Sequence, residues 1–263
     1  MSVVQTERAA GVFTVTLADE AKRNALSSQL VGELVAALDE ADEDPDVRVV
    51  VLTNTGKAFC AGADLSERSS RGDGPAAVSD PQRLFGRFAR SPKPYVGRIA
   101  GHCIAGGMGL AAAMDISIAV EDAMFGFSEV RLGLAPAVIS VVCLPKMRPS
   151  EAREAFLRAR RFPAAEAARL GLINAAVPAD RLDAEVDAVV ADLLAASPGA
   201  IAASKRLLAE VPGAPVDEAF RWTAELSAQL FDTEDAREGM NAFLEKRPPA
   251  WVRPAPSKRE QGD

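Results

Sequence analysis

The stretch Val47-Arg-Val-Val-Val-Leu52-Thr-Asn-Thr-Gly56-Lys-Ala-Phe-Cys60-Ala-Gly-Ala63-Asp64-Leu65 decides the fold. Its opening run, residues 47–52, is apolar and β-branched apart from one arginine, which predicts a strand buried on both faces. The strand runs into a turn of small residues. Such a turn lets a ligand approach the backbone, and N–H groups at the start of a following helix present partial positive charge to an anion. The pattern then returns. Residues 95–100 predict a second buried strand, followed by Gly101-His-Cys-Ile-Ala-Gly106-Gly-Met-Gly109-Leu110 and a Gly/Ala-rich helix, and residues 116–120 predict a third strand. Strands alternating with helices argue for right-handed βαβ crossovers and an α/β core.

Outward from that core, Val12, Phe13, Val15 and Leu17 predict a strand, and the polar residues 19–24 a loop. Leu26, Leu30, Leu34 and Leu38 recur at helical spacing until Asp44-Pro45-Asp46 breaks the pattern. Residues 66–81 turn polar and small and predict a mobile surface loop. After about residue 150 strand signals vanish. Helices are predicted at 151–160, 164–170, 180–196, 199–209, 216–230 and 233–247, with a frayed tail from 254. The sequence divides into a core over 1–195 and a helical C-terminal region over 196–263, with no internal repeat.

The chain has 263 residues, 48% hydrophobic and 25% charged, which excludes a disordered, collagen-like or disulfide-stapled protein. A net charge of −7 gives a nucleic-acid role no electrostatic support. One histidine, His102, excludes a His-rich metal centre, and no metal site is expected. Cys60, Cys103 and Cys143 form no C-x-x-C and suit a reducing compartment. There is no apolar run of about 20 residues and no signal-peptide core in MSVVQTERAAG, so a cytoplasmic protein without a membrane partner is expected.

Two small-residue turns after neighbouring strands could aim two N–H groups at one oxygen, as an oxyanion hole requires. Tight strand-to-helix packing is the other reading. Gly107-x-Gly109-x-x-Ala112 also satisfies the dinucleotide fingerprint, but its acidic partner would fall beyond a further strand-like segment. Glu129 stands in the mostly apolar Phe125-Gly-Phe-Ser-Glu129-Val-Arg-Leu-Gly-Leu134. Partial burial would raise its pKa and suit it to acid–base work, whereas a pair with Arg131 or a helix cap would make it structural. His102 and Cys60 read as satisfied or inert core residues.

Taken together, these segments resemble the crotonase (enoyl-CoA hydratase/isomerase) superfamily, from Arg23-Asn-Ala-Leu26 to Phe243-Leu-Glu-Lys-Arg247. The resemblance implies a ββα spiral with a C-terminal helical trimerisation region, assembled as a homotrimer or dimer of trimers. It implies an acyl-CoA thioester as substrate rather than as a cofactor, its carbonyl held by the N–H groups of Ala63 and Gly106. By the same resemblance Lys22, Arg23, Ala25, Ala61, Asp64 and Leu65 would receive coenzyme A, with Phe243 and Lys246 reaching its nucleotide end.

Typical hydratases of the family carry two glutamates. The second aligns with Glu129; at the first position this chain has Gly109. The position that is acidic in dehalogenase-like and dienoyl-isomerase members is Ala137, which disfavours those chemistries. The motif run is most similar to bacterial methylglutaconyl-CoA-hydratase-like members, a branch associated with branched acyl chains. The expectation is hydration of a 2-enoyl-CoA to a 3-hydroxyacyl-CoA. The alternatives are a Δ3,Δ2-enoyl-CoA isomerase and a catalytically silent acyl-CoA- or RNA-binding relative.

Overall fold

The computed structural model describes residues 2–70 and 81–252. Ten strands alternate with helices in the first two-thirds: β1 Val4–Ala9, β2 Val12–Leu17, α1 Ser28–Glu43, β3 Val49–Asn54, β4 Ala58–Cys60, α2 Leu65–Ser70, α3 Pro81–Leu84, α4 Arg87–Arg90, β5 Tyr95–Ile99, β6 His102–Ile104, α5 Gly106–Ala113, β7 Ile116–Val120, β8 Met124–Gly126, α6 Ala137–Cys143, α7 Pro149–Arg158, β9 Phe162–Pro163, α8 Ala164–Arg169 and β10 Ala175–Val177. Four helices follow: α9 Leu182–Ala195, α10 Pro198–Glu210, α11 Val216–Phe231 and α12 Glu234–Glu245.

The strands form a six-stranded sheet, β1-β2-β3-β5-β7-β10, and a four-stranded sheet, β4-β6-β8-β9. Three successive turns, β3-β4, β5-β6 and β7-β8, each place one strand in the large sheet and a short one in the small sheet before a helix follows. This is the expected ββα spiral. β1 and β2 pair antiparallel across Ala10 and Gly11, both at positive φ, the conformation a tight hairpin turn requires. From β2 to β10 the large sheet is parallel.

β3 is buried along its whole length. Val50 and Leu52 face the main core, while Val49 and Val51 pack with Leu182 and Val186 of α9 on the other side. α1 starts where the Ser27 hydroxyl accepts the Leu30 N–H at 3.2 Å, and Leu30, Leu34 and Leu38 are fully buried on one face. It stops at Asp44, because the residue before Pro45 is driven to extended backbone.

Four expectations need correction. Leu26, read on one helix face with Leu30, Leu34 and Leu38, precedes the Ser27 cap and bridges to Ala63 instead. The small-residue stretches after β3 and β5 are not turns throughout, because β4 and β6 lie inside them. Strands do not end at residue 150: β9 and β10 close the edges of the two sheets. They are two and three residues long, too short to show a period, and exist because β8 and β7 offer open edges to pair with. Within the predicted loop over 66–81, the first residues belong to α2 and Pro81 opens α3; residues 71–80 lie outside the described residues. Among the described residues no single helix is long and apolar enough to cross a membrane, and no group of three or more His, Cys, Asp or Glu could hold a metal ion.

Candidate active site

Three parallel strands of the small sheet end side by side. Cys60 of β4 is in register with Cys103 of β6, and Ile104 of β6 with Gly126 of β8. Their carboxyl ends therefore deliver Gly62–Ala63, Ala105–Gly106 and Ser128–Glu129 to one edge, the place where open α/β sheets put ligands.

The first two turns touch. Gly62 has φ +90°, and a β-carbon on it would stand 2.8 Å from Ala105 Cβ and 3.2 Å from the Gly106 nitrogen. A β-carbon on Gly106 would stand 3.3 Å from Gly62 Cα. Glycine is needed at both places, by conformation at the first and by close approach at the second. Ala105 is held at φ +50° by its N–H donating to Gly126 O at 2.9 Å. Gly106 opens α5, so its N–H has no acceptor within the helix. Among the described residues neither the Ala63 nor the Gly106 N–H donates to a protein group. Two free donors on two turns in contact are what a carbonyl oxygen gaining negative charge requires.

Glu129 begins the short 3-10 turn Glu129–Leu132 at the end of β8. Its Oε2 is buried and, among the described residues, is the buried side-chain oxygen without a hydrogen-bond partner. Burial pushes its carboxyl above the ordinary value, against the lowering effect of its own and the Ser128 N–H groups. Arg131 is not among the groups acting on its carboxyl, so the pair that would have made it structural is not formed among the described residues. His102 accepts the Met124 N–H at its Nδ1, a strand-to-strand tie in keeping with a structural role. Cys60 is fully buried, its thiol pushed up to about 12 by burial, and is inert. Gly107 and Gly109 lie inside α5 rather than in a strand-to-helix turn, so the dinucleotide fingerprint has no phosphate cradle here.

The residues expected to receive coenzyme A converge beside Ala63. Leu26 N–H donates to Gly62 O at 2.7 Å and Ala61 N–H to Arg23 O at 3.1 Å, lacing the 22–26 loop to the turn. Lys22 Nζ reaches Asp64 Oδ2 at 2.9 Å. Asp64 Oδ1 accepts from the Ser66 hydroxyl at 2.6 Å and the Ser66 N–H at 2.9 Å, starting α2. The Ser66 hydroxyl first, then Lys22, hold the Asp64 carboxyl well below the usual carboxylate range. Ala25 is buried and Leu65 half exposed. Phe243 and Lys246 share none of these contacts: they belong to α12 and its C-terminal cap, with Phe243 83% exposed.

Three residues of the site were not singled out from the sequence. Asn24, fully buried at φ +51°, donates to Ala58 O at 2.8 Å and accepts the Asp19 N–H at 2.7 Å, fixing the shape of the 22–26 loop. An asparagine amid polar loop residues is the signal, because its side chain tolerates left-handed backbone. Ile139 and Phe85 pack on Gly109. Nothing local in the sequence marks them.

Two adjoining N–H donors and a carboxylate whose pKa burial raises thus lie at the ends of neighbouring parallel strands, groups suited to chemistry on a carbonyl. A family model described as enoyl-CoA hydratase/isomerase matches residues 7–254. The chain belongs to that family, the crotonases. It is 37% identical over 255 residues to a Thermus thermophilus relative, covering 95% of this chain and all of the other. It is 36% identical to the enoyl-CoA hydratase EchA19 of Mycobacterium tuberculosis, covering 92% of this chain and 94% of that one. The crystal structure of an enoyl-CoA hydratase from Mycobacterium smegmatis superposes with a TM-score of 0.88 at 31% identity, over 95% of this chain and 99% of that one.

Proposed function

We propose that this protein is an enoyl-CoA hydratase that adds water syn across a 2-enoyl-CoA to give a 3-hydroxyacyl-CoA. The observation that carries the reading is the unpartnered Oε2 of Glu129 at the same sheet edge as the free Ala63 and Gly106 N–H groups. Glu129 takes a proton from water as the water oxygen bonds to Cβ. The π electrons move to the thioester oxygen, where the two N–H groups hold the enolate. Glu129 then returns a proton to Cα and the carbonyl re-forms. One oxyanion donor contributes about 2.7–4 kcal/mol to such a step and one acid–base group roughly 10²–10⁴ in rate.

Lys22, Arg23, Ala25, Ala61 and Leu65 border the path of coenzyme A, with Asp64 shaping it through Lys22 and the start of α2. Phe243 and Lys246 serve the nucleotide end from a neighbouring copy. The exposed side chains of Phe220, Phe231, Phe243 and Leu244 support a homotrimer or dimer of trimers built through residues 196–263. The motif run supports a branched acyl group of the methylglutaconyl-CoA-hydratase kind.

A second reading has a specific observation behind it. Gly109 brings no second carboxylate, and one carboxylate suffices for a Δ3,Δ2-enoyl-CoA isomerase, which moves a proton between two carbons. Product analysis separates the two. Formation of 3-hydroxybutyryl-CoA from crotonyl-CoA supports the hydratase; an unchanged crotonyl-CoA beside conversion of 3-hexenoyl-CoA to its 2-isomer overturns it.

A further inference from the structure

Gly109 lies one helical turn beyond Gly106 on α5, with its space already taken. A β-carbon there would penetrate Ile139 Cγ2 and stand 2.9 Å from Phe85 Cε1 and 3.0 Å from Ile139 Cβ. Ile139 comes from α6 and Phe85 from the segment between α3 and α4. Both are buried, at 4% and 7% exposure. The volume one turn from the Gly106 N–H is thus filled by apolar side chains from two separate parts of the chain.

The acids that follow the Ala63 turn are already engaged. Asp64 is committed to Lys22 and the start of α2. Glu67 accepts from the Ser28 N–H and hydroxyl. A carboxylate placed against Ile139 and Phe85 would lose its hydration with no partner to replace it.

We propose that Ile139 and Phe85 set the chemistry of this site by occupying the position of a second carboxylate, holding the pocket to one proton carrier, Glu129, behind an apolar wall. The acid–base half of this inference rests on the hydratase reading; the packing half does not. Both are tested with one set of variants.

Alanine in place of glycine within a helix ordinarily stabilises by about 0.5–1 kcal/mol. Here Gly109→Ala is expected to lower Tm, and to lower it less, or to raise it, in an Ile139→Ala background. Gly109→Glu is expected to abolish turnover in the Ile139 protein. In the Ile139→Ala background it is expected to regain turnover and to add a second ionisation to the pH profile of kcat/KM, one that Gly109→Gln in the same background lacks. Additive Tm changes in the alanine cycle overturn the wall. Coincident pH profiles for the Glu and Gln double variants overturn its role in acid–base chemistry. An absence of acyl-CoA turnover by the unaltered protein overturns the hydratase reading, while the Tm cycle still reads the wall.

Discussion

Gly62 and Gly106 are in contact across the ends of β4 and β6, so close that neither leaves room for a side chain facing the other. The contact brings the Ala63 N–H, next in the chain after Gly62, to the same place as the N–H of Gly106 itself. Gly62→Ala would add a β-carbon 2.8 Å from Ala105 Cβ at a φ of +90°. We expect loss of at least about 1 kcal/mol of stability. We also expect kcat to fall by more than tenfold while acyl-CoA binding persists, because misplaced donors act on the transition state. Calorimetry with steady-state kinetics checks both; a variant with unchanged kcat contradicts the assigned donors.

Burial of Glu129 has a sign that can be measured. Its folded pKa is raised, so the stability it contributes is full below the ordinary value of 4.5 and is lost as pH rises through the folded value. Glu129→Gln removes that loss. The variant is expected to melt higher than the unaltered protein at about pH 7, the gap closing toward about pH 4. A variant that melts lower at neutral pH contradicts an unpartnered, strained carboxylate.

Asp64 behaves in the opposite sense. Its folded pKa is depressed, first by the Ser66 hydroxyl and then by Lys22, so its stabilisation is present above the ordinary 3.8 and fades as pH falls through the folded value. Asp64→Ala removes a helix cap and is expected to cost about 1 kcal/mol, or roughly 2–4 °C in Tm. Lys22→Ala is expected to raise KM for acyl-CoA with kcat little changed, the signature of lost uniform binding. A fall in kcat instead would place Lys22 at the reacting atoms.

The apolar surface of α11 and α12 makes a prediction about assembly. Phe220 is 72% and Phe243 83% exposed, beside Leu244 at 76%, a concentration that exposed surfaces of monomers avoid. Sedimentation of the unaltered protein is expected to give three or six chains. Phe243→Asp is expected to shift it toward one chain and to weaken acyl-CoA binding together. A monomer before substitution contradicts the assembly.

The middle strands of the large sheet, β2, β3, β5 and β7, and the longer helices were legible because their signals are local; β1 was not read, and β4 and β6 fall where the sequence was read as turns. Residues 47–52 read as a strand covered on both faces, which the structure places at Val49–Asn54, and Leu26, Leu30, Leu34 and Leu38 as one helix face, of which the structure keeps the last three. β9 and β10 were not legible, since two or three residues carry no period and take strand form only by pairing with β8 and β7. The site divides the same way. The Gly62 and Gly106 turns announce themselves by composition, and Glu129 by a charge in an apolar run. Ile139 and Phe85 do not, for what they exclude is defined by Gly109, and only packing brings the three together. The glutamate missing at Gly109 was visible; what fills its place was not.

The most direct test follows the ultraviolet absorbance of crotonyl-CoA with the purified protein and with Glu129→Gln. The enoyl signal is expected to fall with the unaltered protein, at a rate at least about 10²-fold higher than with the variant. Full activity in Glu129→Gln, or no loss of signal with either protein, would contradict hydration through Glu129.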